Sequence, residues 1–140
     1  MWPLAALTRT LPAERPAIDR LCRDLGVSVL AGLPAEEKFV IELLLREALT
    51  NAVIHGARNQ PESLVECEVR PLPGGIKIRV ADQGPGFDWR GWLANPPQPK
   101  CESGRGLHIL HLYATEVRFL GAGNEVEVIR MFSRGGQNGM

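Results

Sequence analysis

Apolar residues recur along the chain with two different periods, and the switches between them divide it into elements. Ile18, Leu21, Leu25 and Val29 return at helical spacing after Ala17, while Asp19, Arg20, Arg23 and Asp24 fill a polar face, which predicts an amphipathic first helix. Ahead of it, residues 4–11 are expected to form a short edge strand closed by Pro12 and Pro16, and proline is tolerated in the first turn of a following helix. Gly32 and Pro34 interrupt the pattern. A second helix opens at Pro34-Ala-Glu-Glu-Lys, with acidic residues where the helix dipole favours them. It runs through Leu43, Leu44, Leu45, Ala48, Leu49, Ala52 and Val53 to a natural stop at Gly56.

The period then changes to two. From Leu64 to Arg70, Val65, Cys67 and Val69 alternate with Glu66, Glu68 and Arg70, the signature of a half-buried strand. Beyond Pro73-Gly74-Gly75, Ile76, Ile78 and Val80 alternate with Lys77 and Arg79, so the two runs predict a hairpin. Residues 84–103 are rich in Gly, Pro and Trp without sustained periodicity; a helix from about Gly104 to Tyr113 and two strands near 115–120 and 125–132 follow. Strand pairs clustered between helices indicate an α+β fold, a two-layer sandwich with about three helices packed on one face of a mainly antiparallel, mixed sheet. Nothing in residues 1–140 resembles a repeat, a low-complexity tract or a linker, so a single domain is expected.

Charge narrows the range of partners. Sixteen basic and sixteen acidic residues cancel, and the basic footprint that phosphate-backbone binding demands is missing, so nucleic acid is not an expected partner. The apolar stretches fall short of the roughly 18 residues that a spanning helix requires, and Met1 to Leu11 lacks a basic leader region; a cytoplasmic protein without membrane contact is expected. Cys22, Cys67 and Cys101 are odd in number and form no C-x-x-C pair, which reads as reduced thiols, Cys67 in the core. His108 and His111 lie three apart, but no third metal ligand accompanies them.

Three stretches carry chemistry. In E-A-L-T-N-A-V-I-H-G, residues 47–56, Glu47 and Asn51 are four apart on one helical face that His55 extends by a turn. Burial among Leu, Ala, Val and Ile would cost such polar groups several kcal/mol, roughly, unless something satisfies them; a solvated polar stripe on the outer face is the plainer alternative. Asp82-Gln-Gly-Pro-Gly-Phe87 follows a strand directly. Its glycines Gly84 and Gly86 permit close ligand approach, and its aspartate can accept a hydrogen bond from an exocyclic amine such as that of adenine, although alone it is also an ordinary tight turn. Ser103-Gly104-Arg105-Gly106-Leu107 opens a helix, where exposed N–H groups and the dipole favour phosphate.

With these three stretches in this order, the chain resembles the GHKL ATPase superfamily of the Bergerat ATP-binding fold. It is most similar to the anti-sigma-factor serine/threonine kinases, in which an E-x-x-T-N-A-x-x-H-G helix, a D-x-G-P-G turn and an S-G-x-G helix start recur. The resemblance covers nearly the whole chain. It implies that the chain binds ATP and Mg²⁺, with Asn51 holding Mg²⁺, Asp82 reading the adenine amine, and Gly84, Gly86, Gly104, Gly106 and Leu107 forming the phosphate and nucleotide cradle. Glu47 is implied as the catalytic base, and Arg105 either contacts phosphate or faces solvent. The resemblance further implies a kinase that phosphorylates a small antagonist protein and regulates a sigma factor by partner switching, as a homodimer. The alternative is a nucleotide-dependent binding module without significant kinase activity. Gly123-Asn124-Glu125-Val126 stands where the family commonly has a G-T-T type sequence whose threonine helps bind adenine, and Glu102 stands where some members carry arginine. Residues 87–103, with Trp89 and Trp92, are expected to close as a lid over bound nucleotide.

Overall fold

The computed structural model describes residues 6–56, 62–84, 109–121 and 124–132, with His55 and Gly56 as backbone only. Strand β1 (Leu7–Pro12) is followed by helices α1 (Arg15–Gly26) and α2 (Ala35–Asn51), the hairpin β2 (Leu64–Leu72) and β3 (Gly75–Ala81), and the final pair β4 (Glu116–Leu120) and β5 (Glu125–Met131). A third helix, α3, is described over residues 109–113. The strands form one five-stranded sheet in the order β1-β2-β3-β5-β4, and each of its described pairings is antiparallel. The expectation of a mixed sheet therefore finds no parallel pair among the described strands. β1 occupies an edge, as its short run closed by Pro12 predicts.

The alternation predicted from the sequence sets the two faces of the sheet. Val65, Cys67 and Val69 of β2, Ile76, Ile78 and Val80 of β3, and Val126 and Val128 of β5 are buried together with Ile18, Leu21 and Leu25 of α1 and Ile41, Leu44, Leu45 and Leu49 of α2. Each such side chain contributes about 1.5–3 kcal/mol relative to its exposed state. The opposite face carries a lattice of ion pairs across neighbouring strands: Arg79 with Glu66 and Glu125, Lys77 with Glu127, and Arg118 with Glu127. A face of this kind stays in water, so the helices are confined to the other one.

α1 starts at Arg15, with Pro16 in its first turn, and ends at Gly26, before the Val29 expected within it. The hydroxyl of Ser28 donates to the carbonyl of Asp24 at 2.6 Å, and the Leu30 N–H reaches back to the Leu25 carbonyl at 2.9 Å. The chain thus turns while Val29 and Leu30 remain buried. Between β2 and β3, Leu72 pairs with Gly75, and Gly74 adopts φ 75°, the conformation a type II turn asks of the residue after proline. At Gly75 an added Cβ would lie 2.6 Å from the Arg130 carbonyl oxygen, so β5 passes too closely for any side chain. Both described cysteines are free and buried, and burial pushes the Cys67 thiol up to about 12, consistent with a packing role.

One polar contact on the core side was not legible in the sequence. Glu37, in the first turn of α2, is 7% exposed, and it accepts hydrogen bonds from Nε and Nη2 of Arg130 on β5 at 3.1 and 3.3 Å. The remaining arm of the guanidinium, Nη1, donates to the Tyr113 carbonyl at the end of α3 at 2.8 Å, where a cation is favoured by the helix dipole. Arg130 therefore ties α2, α3 and β5 together. Replacing it with methionine takes two hydrogen bonds and the opposite charge from the Glu37 carboxylate in a largely dry place, and R130M is expected to lose about 2–3 kcal/mol of unfolding free energy. The double variant E37L/R130M should be more stable than R130M, because no charge is left behind. Urea unfolding at constant m-value measures both, and a double variant worse than the single would show that the two residues do not act as a pair.

Candidate functional site

The first chemical stretch and the first half of the second fall on described residues, and each lies where an element ends. Asn51 is the last residue of α2 and Glu47 lies four residues before it, so the two share a face of the helix. Both are half-buried, flanked by the buried Leu44, Leu45, Ala48, Leu49, Ala52 and Val53. The amide nitrogen Nδ2 of Asn51 is itself inaccessible and has no hydrogen-bond partner among the described residues. An unsatisfied buried donor costs about 1–3 kcal/mol, and its lone position among apolar neighbours marks a place where a ligand would supply the missing acceptor. The outer-face reading of this stripe is therefore overturned for Asn51.

Beyond Asn51 the helix widens into a π turn over Ala52–Gly56. This segment bonds i→i+5 in place of i→i+4, and the side chain of His55, expected to extend the Glu47 and Asn51 stripe, lies outside the described residues. Nothing in the residue pattern announces the π turn, since Val53, Ile54 and a terminal glycine suit an ordinary helix end as well.

Asp82 lies one residue past β3, and its surroundings are specific. Its carboxylate Oδ1 accepts the Gly84 N–H at 2.7 Å, closing an Asx turn, the local bond for which aspartate is favoured in turns. The Gly84 amide is thereby committed, so what Gly84 can offer a ligand is close approach of the chain. The main-chain N–H of Asp82 donates to the Asn124 carbonyl at 2.9 Å, and the Asp82 carbonyl accepts from Nδ2 of Asn124 at 3.3 Å. Burial raises the Asp82 carboxyl above the ordinary carboxylate value, and the Gly84 N–H opposes that rise in part. Oδ2 accepts no hydrogen bond from the described residues, which leaves it as the acceptor on offer to a ligand.

The Arg130 tie helps to place these groups. It joins the first turn of α2 to Arg130, whose partner across the ladder is Ile76 near the start of β3. Asn51 follows Glu37 by fourteen residues and Asp82 follows Ile76 by six, roughly 20 Å along a helix and about 20 Å along a strand. Both polar groups thus lie at the far ends of their elements from the tie. Gly86, Gly104, Arg105, Gly106 and Leu107 lie outside the described residues, as do the expected lid 87–103, Glu102 and Gly123. Asn124 was singled out in the sequence only as a missing threonine; its bonds to Asp82 join segments 42 residues apart, which no local pattern records.

Residues 11–131 match the family described as Histidine kinase-like ATPase domain. Among curated proteins, the Anti-sigma F factor of Bacillus cytotoxicus is 32% identical over 89 residues, covering 61% of this chain and 61% of that protein. That of Geobacillus stearothermophilus is 33% identical over 86 residues, covering 59% of each, and that of Anoxybacillus flavithermus is 29% identical over 106 residues, covering 71% and 73%. The chain thus spans about six-tenths of the length of the first two relatives. Among solved structures, the histidine kinase domain of a blue-light activated histidine kinase from Erythrobacter litoralis superposes with a TM-score of 0.56 at 18% identity, covering 88% of this chain and 62% of that one; this likeness shows the fold alone.

The raised Asp82 carboxyl has a consequence for stability. A folded-state value above the unfolded one means that ionising Asp82 is harder in the folded protein. The resulting penalty is absent below the unfolded value, grows as pH rises through the window between the two values, and is fully present above it. Asp82→Asn keeps an oxygen for the Gly84 N–H but carries no charge. It should raise the thermal midpoint of the ligand-free protein at neutral pH, with the gain shrinking as pH falls towards about 4. Scanning calorimetry across that range checks both parts, and a variant less stable than wild type at pH 7 would contradict them.

Proposed function

The chain belongs to the histidine kinase-like ATPase domain family, and from that premise we propose that it binds Mg-ATP and acts as an anti-sigma-factor-like serine/threonine protein kinase. Its substrate in this reading is a hydroxyl on a small antagonist protein, and its output is regulation of a sigma factor by partner switching, in the cytoplasm and as a homodimer. The observation that carries the reading is the inaccessible Asn51 Nδ2 donor, without a hydrogen-bond partner among the described residues, on the same helical face as Glu47. Relatives named Anti-sigma F factor support the sigma-factor connection.

The residues present suit a magnesium nucleotide. Mg²⁺ keeps several waters and takes one or two protein ligands beside phosphate oxygens, so a single amide oxygen from the protein would suffice. Bound with ATP, it would neutralise phosphate charge. The Asn51 amide, with an oxygen to ligate and two N–H donors, is the group that would hold it. Asp82 Oδ2 would accept from the adenine amine. Gly84 and Gly86 would let the chain close on the base, and Gly104, Arg105, Gly106 and Leu107 would present the helix start to phosphate. Glu47, one helical turn from Asn51, would accept the proton of the attacking hydroxyl as its oxygen bonds to the γ-phosphorus and ADP leaves.

A second reading, a nucleotide-dependent binding module without significant kinase activity, is favoured by Asn124 standing in place of the threonine. Calorimetric titration tests the site: N51A and D82N should each weaken Mg-ATP binding by about 1–3 kcal/mol, the worth of a hydrogen bond to a charged or buried partner. Unchanged affinity in both variants removes the assignment. E47Q separates the two readings, because the amide keeps the shape but cannot take a proton. It should bind ATP as wild type does while phosphate transfer to the antagonist is abolished. A wild type that binds the antagonist tightly with ATP or ADP but never transfers phosphate to it decides for the second reading.

A further inference from the structure

At the far end of β3 the ladder with β5 continues one step past its last paired residues, Ala81 and Glu125, and a side chain completes that step. Asn124 holds Asp82 at two points, its carbonyl taking the Asp82 N–H at 2.9 Å and its Nδ2 donating to the Asp82 carbonyl at 3.3 Å. Its Oδ1 lies 3.3 Å from where a Cβ on Gly121 would sit, with Gly121 at φ 62°, so the amide has its oxygen on the Gly121 side and its nitrogen on Asp82. The next side chain does not compete, because Glu125 accepts Nε of Arg79 at 2.6 Å on the opposite sheet face.

These contacts leave the Asp82 side chain little freedom. Its main chain is pinned on both polar groups, and Oδ1 is pinned by Gly84, so the direction of Oδ2 follows from the backbone that Asn124 fixes. We propose that Asn124 is a positioning residue for base recognition: by holding the main chain of Asp82 it aims the one open carboxylate oxygen at the exocyclic amine of a 6-aminopurine. The proposal rests on the reading that Asp82 contacts the base. In a site of this kind a misplacement of about 1 Å is enough to lose a directional bond, while contacts to ribose and phosphates are untouched. The signature of positioning is therefore a loss of discrimination between bases, not a general loss of nucleotide affinity.

The experiment compares calorimetric affinity for Mg-ATP and for purine riboside 5′-triphosphate, which lacks only the 6-amino group, in wild type, N124A and N124D. Wild type should prefer ATP by about 12- to 160-fold, the range for one hydrogen bond to a charged acceptor. In N124A that preference should fall at least about threefold, through weaker ATP binding with the analogue little changed. N124D, equal in size but without the N–H donor, should lose it as well, and thermal melts establish that each variant is folded. A preference as large as the wild type's in either folded variant overturns the proposal, as does an equal loss for both nucleotides, which is the mark of a merely structural contact. A wild type that binds ATP and the analogue equally overturns the Asp82 reading and the proposal with it; a discriminating wild type beside an equally discriminating N124A overturns the proposal alone.

Discussion

The rest of the structure depends on the difference between the two faces of its sheet. Val65, Cys67, Val69, Ile76, Ile78 and Val128 lie at 0% exposure on one side, while on the other Arg79, Lys77 and Arg118 pair with glutamates of neighbouring strands. A helix laid on the charged side would have to desolvate that lattice for little return, because such pairs are worth little in water and cost more when buried. All helical cover therefore goes to one layer. A two-layer domain has no deep interior to spare for a ligand, so polar groups with work to do are left at the ends of elements. Asn51 closes α2 and Asp82 follows β3.

Such end positions need a fixed frame, and the Arg130 tie supplies one. A guanidinium bonded to Glu37 and to the Tyr113 carbonyl specifies distances and angles that an apolar contact would leave adjustable. Hydrophobic side chains of similar volume would pack as stably, so what the ion pair adds is registry: the start of α2, the end of α3 and the end of β5 are held to one another. Asn124 immediately precedes β5 and Arg130 is the last residue but one of that strand, so side-chain hydrogen bonds to other elements flank both ends of β5.

Period-two and helical alternation were enough to locate β2, β3, both final strands and the buried stripes of α1 and α2, because each is set by local burial that a short window records. The end of α1 was misjudged since Val29 stays in the core after the helix stops at Gly26; burial continued while hydrogen bonding changed, and hydrophobicity reports only the first. The π turn after Asn51 was hidden for the complementary reason, a change of hydrogen bonding without a change of residue type. Glu37 with Arg130 and Asp82 with Asn124 join residues 93 and 42 positions apart, and no local pattern encodes which distant partner a charged or amide side chain finds. The candidate site was legible as residue types in order, through the resemblance, but not as the bonds that aim them.

Asn124 shows why motif matching and geometry need to be read together. Judged by residue type, it is a lost adenine contact, because the expected hydroxyl is absent. Judged by its bonds, it acts one step further back, on the backbone of the aspartate itself. A hydroxyl reaching a ligand and an amide holding the residue that reaches it impose different demands. The first adds a bond that exists only when a ligand is present, whereas the second needs no ligand and would lower the cost of ordering the site on binding. Beside it stand a half-buried Asp82, its carboxyl raised by burial, and an Asn51 Nδ2 without a hydrogen-bond partner among the described residues. Preorganisation of this kind places the cost of recognition in the fold, where the apolar layer beneath α2 and β3 can offset it, and leaves more of the ligand's interaction energy to appear as affinity.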